Sequence, residues 1–534
     1  MVRTLPFHGE KMGSNPIAGI NFFTQLLMDF ITLKSFIPEI FLSVCILSQL
    51  VFNAYITSST RNNFPIINKE IFSQVSVILV ITLALSLNLK IEGFFNNFLF
   101  LNDSSSHLIK ISILISTLVT LPSLIKAFNI QRLNFFEFFS ILLLAVLSLL
   151  LLVNSTDMLS AYLLIEMQAL CFYVLASFKR TSAFSVDAGL KYFISGAFIS
   201  GIFLFGCSLV YAALGSLNFN SISLLLSIPF DFFYLKAILF SGVFLITVTL
   251  LFKVSAVPFH FWSPDVYEGA PLATTITFSI IPKFAIFSFF IKWLSILGNN
   301  FLDLNVFLML VGLISVLIGS LFAIRQKRLK RLVIYSSIAQ VGFIISGLSS
   351  IDINSTIAVY FFIAIYIISS ILVWNQLTTL YSFREFSLKF YKKIGSPLFI
   401  SSLSNLYKKN YIWSISFIVI FFSIAGIPPL SGFLSKILIL FSLIVSKNIL
   451  GSLFLVLLSA ISVFYYLRVI KTVFFESKLN FYTNEEFQVV FLNSFFLLDC
   501  FVISVCLFLL FFFFFNPALL LLLCHNITLG SVFF

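Results

Sequence analysis

Four ionisable residues stand inside long apolar runs of this sequence: Glu166 in AYLLIEMQALCFYVL, Lys253 in VTLLFKVSAVPF, Lys283 in IIPKFAIF and Lys436 in GFLSKILILF. An ionised side chain at bilayer depth costs on the order of 3 kcal/mol or more unless it is paired or hydrated. A carboxylate beside an ammonium holds both in their charged forms. When the partner withdraws, dry surroundings favour the neutral amine and a proton leaves. At about 4 Å and an effective dielectric of about 20, such a pair interacts by roughly 4 kcal/mol, about three decades of proton affinity. The chemistry on offer is therefore proton transfer. A static salt bridge that only fixes helix packing is the alternative, and four charges beside two broken helices weigh against it.

The elements that must position these residues follow from proline. Between Lys253 and Lys283 lie Pro258, Pro264 and Pro271. Proline lacks a backbone donor and disfavours helix at the residue before it, so the helix carrying Lys253 must break near Val257. A second break is expected at Pro428–Pro429, shortly before Lys436. Leu133 to Pro258 and Asp303 to Pro428 are both 125 residues apart. Matching broken helices in two halves of a chain point to a transport site.

The composition places these runs in a membrane. The 534 residues carry only 10% charged side chains against 60% hydrophobic ones, and the mean hydropathy is +1.10. A soluble domain averages roughly 25% charged residues, so lipid must cover part of this apolar surface. The expected fold is an all-α polytopic membrane protein of about fourteen helices. The first three lie near 36–57, 70–89 and 108–129. A five-helix unit follows over 133–297 (133–152, 156–178, 187–214, 236–258, 270–297). A second covers 303–475 (303–323, 331–350, 355–381, 411–443, 451–475), with a basic loop at 382–410. The fourteenth helix lies at 490–515. Helices 4–8 and 9–13 form two repeats, and an odd number of helices per repeat inverts the second relative to the first. Helices 7 and 12 are the broken ones. Residues 1–35 form an N-terminal extension, with a short helix possible at 22–33, and the tail 516–534 has no assignment.

The formal charge of +12 raises nucleic acid as a partner, but the basic residues sit in short loops between apolar runs. Twenty of the 32 Lys and Arg fall in odd-numbered loops, which the positive-inside rule places on one face, with both termini opposite. No nucleic-acid role is expected. The six cysteines form no CxxC pair and the four histidines are scattered, so no metal or iron–sulfur ligand set is present. There is no glycine-rich nucleotide motif, and no cofactor is expected. The 72 phenylalanines fit the AT-rich codons of an organellar genome.

Secondary candidates surround the main four. Lys191 lies one turn into helix 6, where it either snorkels to the interface or joins an intake path. His260 follows the first break and can relay protons or bond loop backbone. Asp265 and Glu268 read as capping and loop-shaping. Gly196, Gly201, Gly206 and Gly215 fit close helix packing.

Long strings carry a family resemblance: PEIFL at 38–42, LLIEMQALCFYVLASFKR at 163–180, GLKYFISGAFISG at 189–201, VPFHFWSPDVYEGAP at 257–271, KRLVIYSSIAQVGF at 330–343 and FSIAGIPPLSGFLSK at 422–436. From about Pro38 to Phe475 the chain resembles subunit 2 of NADH:ubiquinone oxidoreductase, respiratory complex I. That subunit falls within a superfamily that includes antiporter-like subunits and Mrp-type sodium/proton antiporters. The resemblance implies that Glu166 and Lys253 are a gating pair, Lys283 a central relay and Lys436 the lysine that exchanges protons with the exit side. It also implies partners: other membrane-arm and accessory subunits, membrane lipids such as cardiolipin, and protons. The implied place is the mitochondrial inner membrane, with odd loops on the matrix side and the driving energy coming from quinone reduction elsewhere in the complex. One departure stands out. Many relatives carry histidine where this chain has Gln340, which can hold a water wire but cannot take a charge. Two rival readings remain: a free-standing cation/proton antiporter using the same lysines, and a structural spacer with inert charges.

Overall fold

A computed structural model describes residues 34–59, 68–88, 93–95, 99–131, 133, 136–227, 233–298, 301–350, 352–388, 399–404, 406–476 and 494–532. The expected extension up to residue 33, its short helix, and the middle of the basic loop at 382–410 lie outside these residues. In order come α1 (Ile37–Ser59), α2 (Asn68–Asn88), a ribbon of β1 (Gly93–Phe95) and β2 (Phe100–Asn102), α3 (Ser104–Gln131), α4 (Glu137–Asn154), α5 (Met158–Ala176) and α6 (Ala183–Leu214). Next are α7 (Phe219–Leu226), α8 (Phe233–Val254), α9 (Trp262–Gly269), α10 (Leu272–Leu297), α11 (Leu302–Arg325), α12 (Leu329–Leu348) and α13 (Ile353–Leu388). A 3-10 turn (Ile400–Leu403) precedes α14 (Leu406–Lys409), α15 (Tyr411–Ala425), α16 (Ser431–Val445), α17 (Ile449–Phe474), α18 (Ser494–Phe515) and α19 (Ala518–Val532).

Among the described residues, 13 helices are long and apolar enough to cross a membrane. The pair α15 and α16 supplies the fourteenth expected segment in two pieces. Among the described residues, the antiparallel ribbon is the one pair of strands beside the helices. The tail left unassigned also forms a helix: α19 starts just after Pro517, a residue that suits a helix start as well as an ending. It packs on α3 and α13.

The core is built around α10, whose apolar window is 94% buried against α3, α4 and α13. Small residues bring helices together. A Cβ on Gly206 would meet the Gly242 carbonyl oxygen and Ile246, which places α6 directly on α8, and one on Gly196 would overlap Tyr173. Gly201 faces open space instead, and Gly215 ends α6 at φ +73. The packing expectation therefore holds for Gly196 and Gly206 and fails for the other two.

Both breaks occur where proline demands them. In the first, α8 stops at Val254, Ser255 takes φ 66, and a cis Val257–Pro258 bond leads into α9. In the second, α15 stops at Ala425, Gly426 takes φ 83, and a cis Pro428–Pro429 bond leads into α16.

Candidate functional site

A broken helix leaves its last carbonyls without intrahelical donors, and these orphans organise the site. At the first break, Leu251 O accepts from Ala256 N, and Phe252 O from Ser255 N and the Trp262 indole. Val254 O accepts from Lys283 Nζ at 3.2 Å. At the second break, Phe422 O accepts from the amides of Gly426 and Ile427, and Ser423 O from Gly426. Gln340 Nε2 donates to Ile424 O at 3.1 Å and Lys436 Nζ to Ala425 O at 2.7 Å. In each half, a lysine ammonium sits on the negative end of a half-helix, where its dipole favours a cation. Lys436 also lies 5.3 Å from the centre of the Phe343 ring. Gly426 permits this approach, since a Cβ there would fall 2.9 Å from the lysine chain.

Three cavities are lined in turn by Glu166, Lys253, Lys283 and Gln340, and Lys436 borders none of the three. Glu166 and Lys253 line the first, with Tyr162, Ser200 and Thr249 among its other walls. Lys253 and Lys283 line the second, beside Gln168, Tyr192 and Tyr267. Tyr267 also borders the third, which Ser336, Ser337, Gln340, Tyr366 and Ile424 complete. Lys253 is thus shared by the first two cavities and Tyr267 by the last two. Glu166 and Lys253 face one space but are absent from the ion pairs within 4 Å. One Glu166 carboxylate oxygen is buried with no hydrogen-bond partner.

The wall at Tyr267 has a local cause. Pro282, inside α10, has no N–H to give the carbonyl four residues back, Phe278. The Tyr267 hydroxyl donates to Phe278 O at 3.2 Å and fixes the ring between two cavities.

The secondary candidates lie to one side. Lys191 is half exposed and pairs with Asp187 at 2.9 Å and Asp265 at 3.6 Å. His260 is buried, with Nδ1 unpartnered among the described residues. Asp265 and Glu268 do more than shape a loop: they hold Arg331 and, through Glu268, Arg328, tying α9 to the start of α12.

These cavities acquire context from relatives. A family described as NADH:quinone oxidoreductase/Mrp antiporter, transmembrane, matches residues 155–462. The chain is 35% identical over 454 residues to NADH-ubiquinone oxidoreductase chain 2 of Oenothera berteroana, covering 82% of this chain and 88% of that one. The chain belongs to this family. Subunit N of the Pelagibacter ubique NADH-quinone oxidoreductase is 32% identical over 85% of this chain and 92% of its own length. In fold, the chain matches a chain of Thermus thermophilus respiratory complex I with bound aureothin. The TM-score is 0.70 at 24% identity, covering 91% of this chain and 98% of that one. It also matches a chain of the Mrp complex of Dietzia sp. DQ12-45-1b, with a TM-score of 0.76 at 18% identity over 94% and 98% of the two chains.

This family member holds more charge inside its helices than the loop count assumed. Lys110 and Lys126 are buried within α3, Lys292 within α10 and Lys330 within α12. Lys126 pairs with Asp499 of α18, and Lys110 with Glu39 of α1. Lys330 donates to Ala270 O at 2.9 Å, at the end of α9, and Lys292 to Ser155 O at 3.2 Å, at the end of α4. Lysines near segment ends look like snorkelling loop residues in sequence. Glu39, inside the PEIFL string, and Asp499, near the start of an apolar run, were the available signals.

Proposed function

We propose that the chain is a proton-translocating membrane-arm subunit of respiratory NADH:ubiquinone oxidoreductase. It works there with other subunits of the arm, in the mitochondrial inner membrane. Protons pass from the Glu166–Lys253 space to Lys283 and on to Lys436, through two five-helix units related by inversion, with the odd-numbered loops on the matrix side. The names of the relatives, NADH-ubiquinone oxidoreductase chain 2 of two plants among them, support the complex. The observation that carries the path is the sharing of Lys253 between two cavities, one reaching Glu166 and the other Lys283. Cavities lined in part by charged and hydroxyl side chains can take up water, and a lysine open to two of them can take a proton from one side and give it to the other.

In the test, Lys253→Met is introduced into the assembled complex. Coupled NADH oxidation and proton translocation are expected to fall by about a hundredfold or more, the scale of a lost proton-transfer group. The assembled complex should keep its band on a native gel. An assembled complex with full coupled activity would overturn the proposal.

A further inference from the structure

We propose that a run of neutral hydroxyls, Tyr366 and Tyr466 with Ser336 and Ser337, carries protons through the second half of the chain to Lys436, with Gln340 holding the path in place. The inference rests on the function proposed above and supplies its undefined step. The third cavity has no Asp, Glu, His, Lys or Arg among its lining residues, although it meets the Lys283 cavity at Tyr267 and the Lys436 break at Ile424. Gln340 cannot fill that gap, because an amide takes up no proton in the working pH range. Its Nε2 is already committed to Ile424 O.

Hydroxyls can fill it, since each is both donor and acceptor. The Tyr366 hydroxyl lies beside Ser337, and both residues line the cavity. Tyr466 is 1% exposed. Its hydroxyl lies beside Ser336, Gln340 and Tyr465 but closes no hydrogen bond of full geometry with them. A buried hydroxyl so placed keeps donor and acceptor capacity that water can use. Ser336 donates to Val333 O at 2.7 Å, which leaves its lone pairs open. The far end is fixed by adjacent carbonyls: Ile424 O holds Gln340 and Ala425 O holds Lys436.

The repeat spacing points the same way. The alignment that equates Pro258 with Pro428 equates Glu166 with Ser336 and Lys253 with Ser423. Hydroxyls stand where the first half carries charges. An arriving proton binds a lone pair of the first hydroxyl or water, and that oxygen passes its own hydrogen on. Neutral Lys436 takes up the last one. Only O–H and N–H bonds are made and broken, one positive charge moves, and no tyrosine has to ionise.

The test uses the assembled complex with Tyr466→Phe, Tyr366→Phe and the pair together. Phenylalanine keeps the ring packing of Tyr466 on Tyr465 and Phe421, so a packing role alone would leave turnover unchanged. The expected result is an assembled complex whose proton translocation falls well below the parent's, with a larger solvent deuterium effect. Adding Gln340→His to Tyr466→Phe should restore translocation by supplying a ring that can carry the proton. Should the phenylalanine variants fail to assemble, Ser336→Ala with Ser337→Ala carries the same expectation through a smaller change. Wild-type translocation in the assembled double variant, or a loss that Gln340→His does not relieve, overturns the hydroxyl relay. Lys436→Met separates the two levels. Loss there with normal tyrosine variants removes only the relay, whereas full activity in Lys436→Met removes the underlying function.

Discussion

Asp499→Leu should destabilise the protein severely, and Lys126→Met in the same chain should rescue it. Asp499 is fully buried on α18, and the Lys126 side chain on α3 is 10% exposed. Removing one partner strands the other charge away from water, at a cost of about 3–5 kcal/mol. At 1.4 kcal/mol per factor of ten, that is between about 10²- and 4 × 10³-fold in the folded-to-unfolded ratio. The double change removes both charges and keeps apolar volume, so it should return to within about 2 kcal/mol of the parent. The assay is a four-member cycle: parent, two single variants and the double variant, each as the assembled complex in detergent. Its readout is the half-life of the native-gel band at a fixed elevated temperature. Single variants as durable as the parent, or a double variant no better than the worse single, would refute the reasoning. The first outcome would mean that water or lipid headgroups reach the stranded charge.

Other expectations follow from packing and capping. Gly432→Ala places a Cβ 1.9 Å from Ser423 O, so α16 must move off α15 and the assembled complex should be lost on a native gel; Gly201→Ala, which meets nothing within 4 Å, should assemble normally. Lys330→Met uncaps the carbonyls of Glu268 and Ala270 at the end of α9, which should cost about 1–3 kcal/mol and appear as a lower thermal-inactivation temperature. A chain ending at Phe515 loses α19 and bares the faces of α3 and α13 that it covers, and its complex should inactivate faster on heating.

The spans and breaks were legible because their causes are local. A run of apolar residues near the roughly 20 needed for a span and a proline inside it are both written in adjacent letters. Glu166, Lys253, Lys283 and Lys436 stood out because each sits well inside such a run. What escaped depends on distant or unlettered partners. Lys110 finds Glu39 across α1, and Lys126 finds Asp499 from the far end of the chain. Lys283, Lys292, Lys330 and Lys436 bond backbone carbonyls at helix ends, and a carbonyl has no letter of its own. The pairing of Lys253 with the first break was also incomplete. It is Lys283, from the next helix, whose ammonium rests on the broken end at Val254. Pro282 was visible in sequence, yet its effect, a carbonyl freed for Tyr267, required both helices in place.

The most direct test of the lysine path is the number of protons moved per electron by the complex in sealed vesicles when Lys283→Met is introduced. A working lysine path requires a lower ratio, or loss of coupled turnover, while NADH oxidation by an artificial acceptor continues normally. A fully assembled complex that keeps the parent ratio and rate would contradict it.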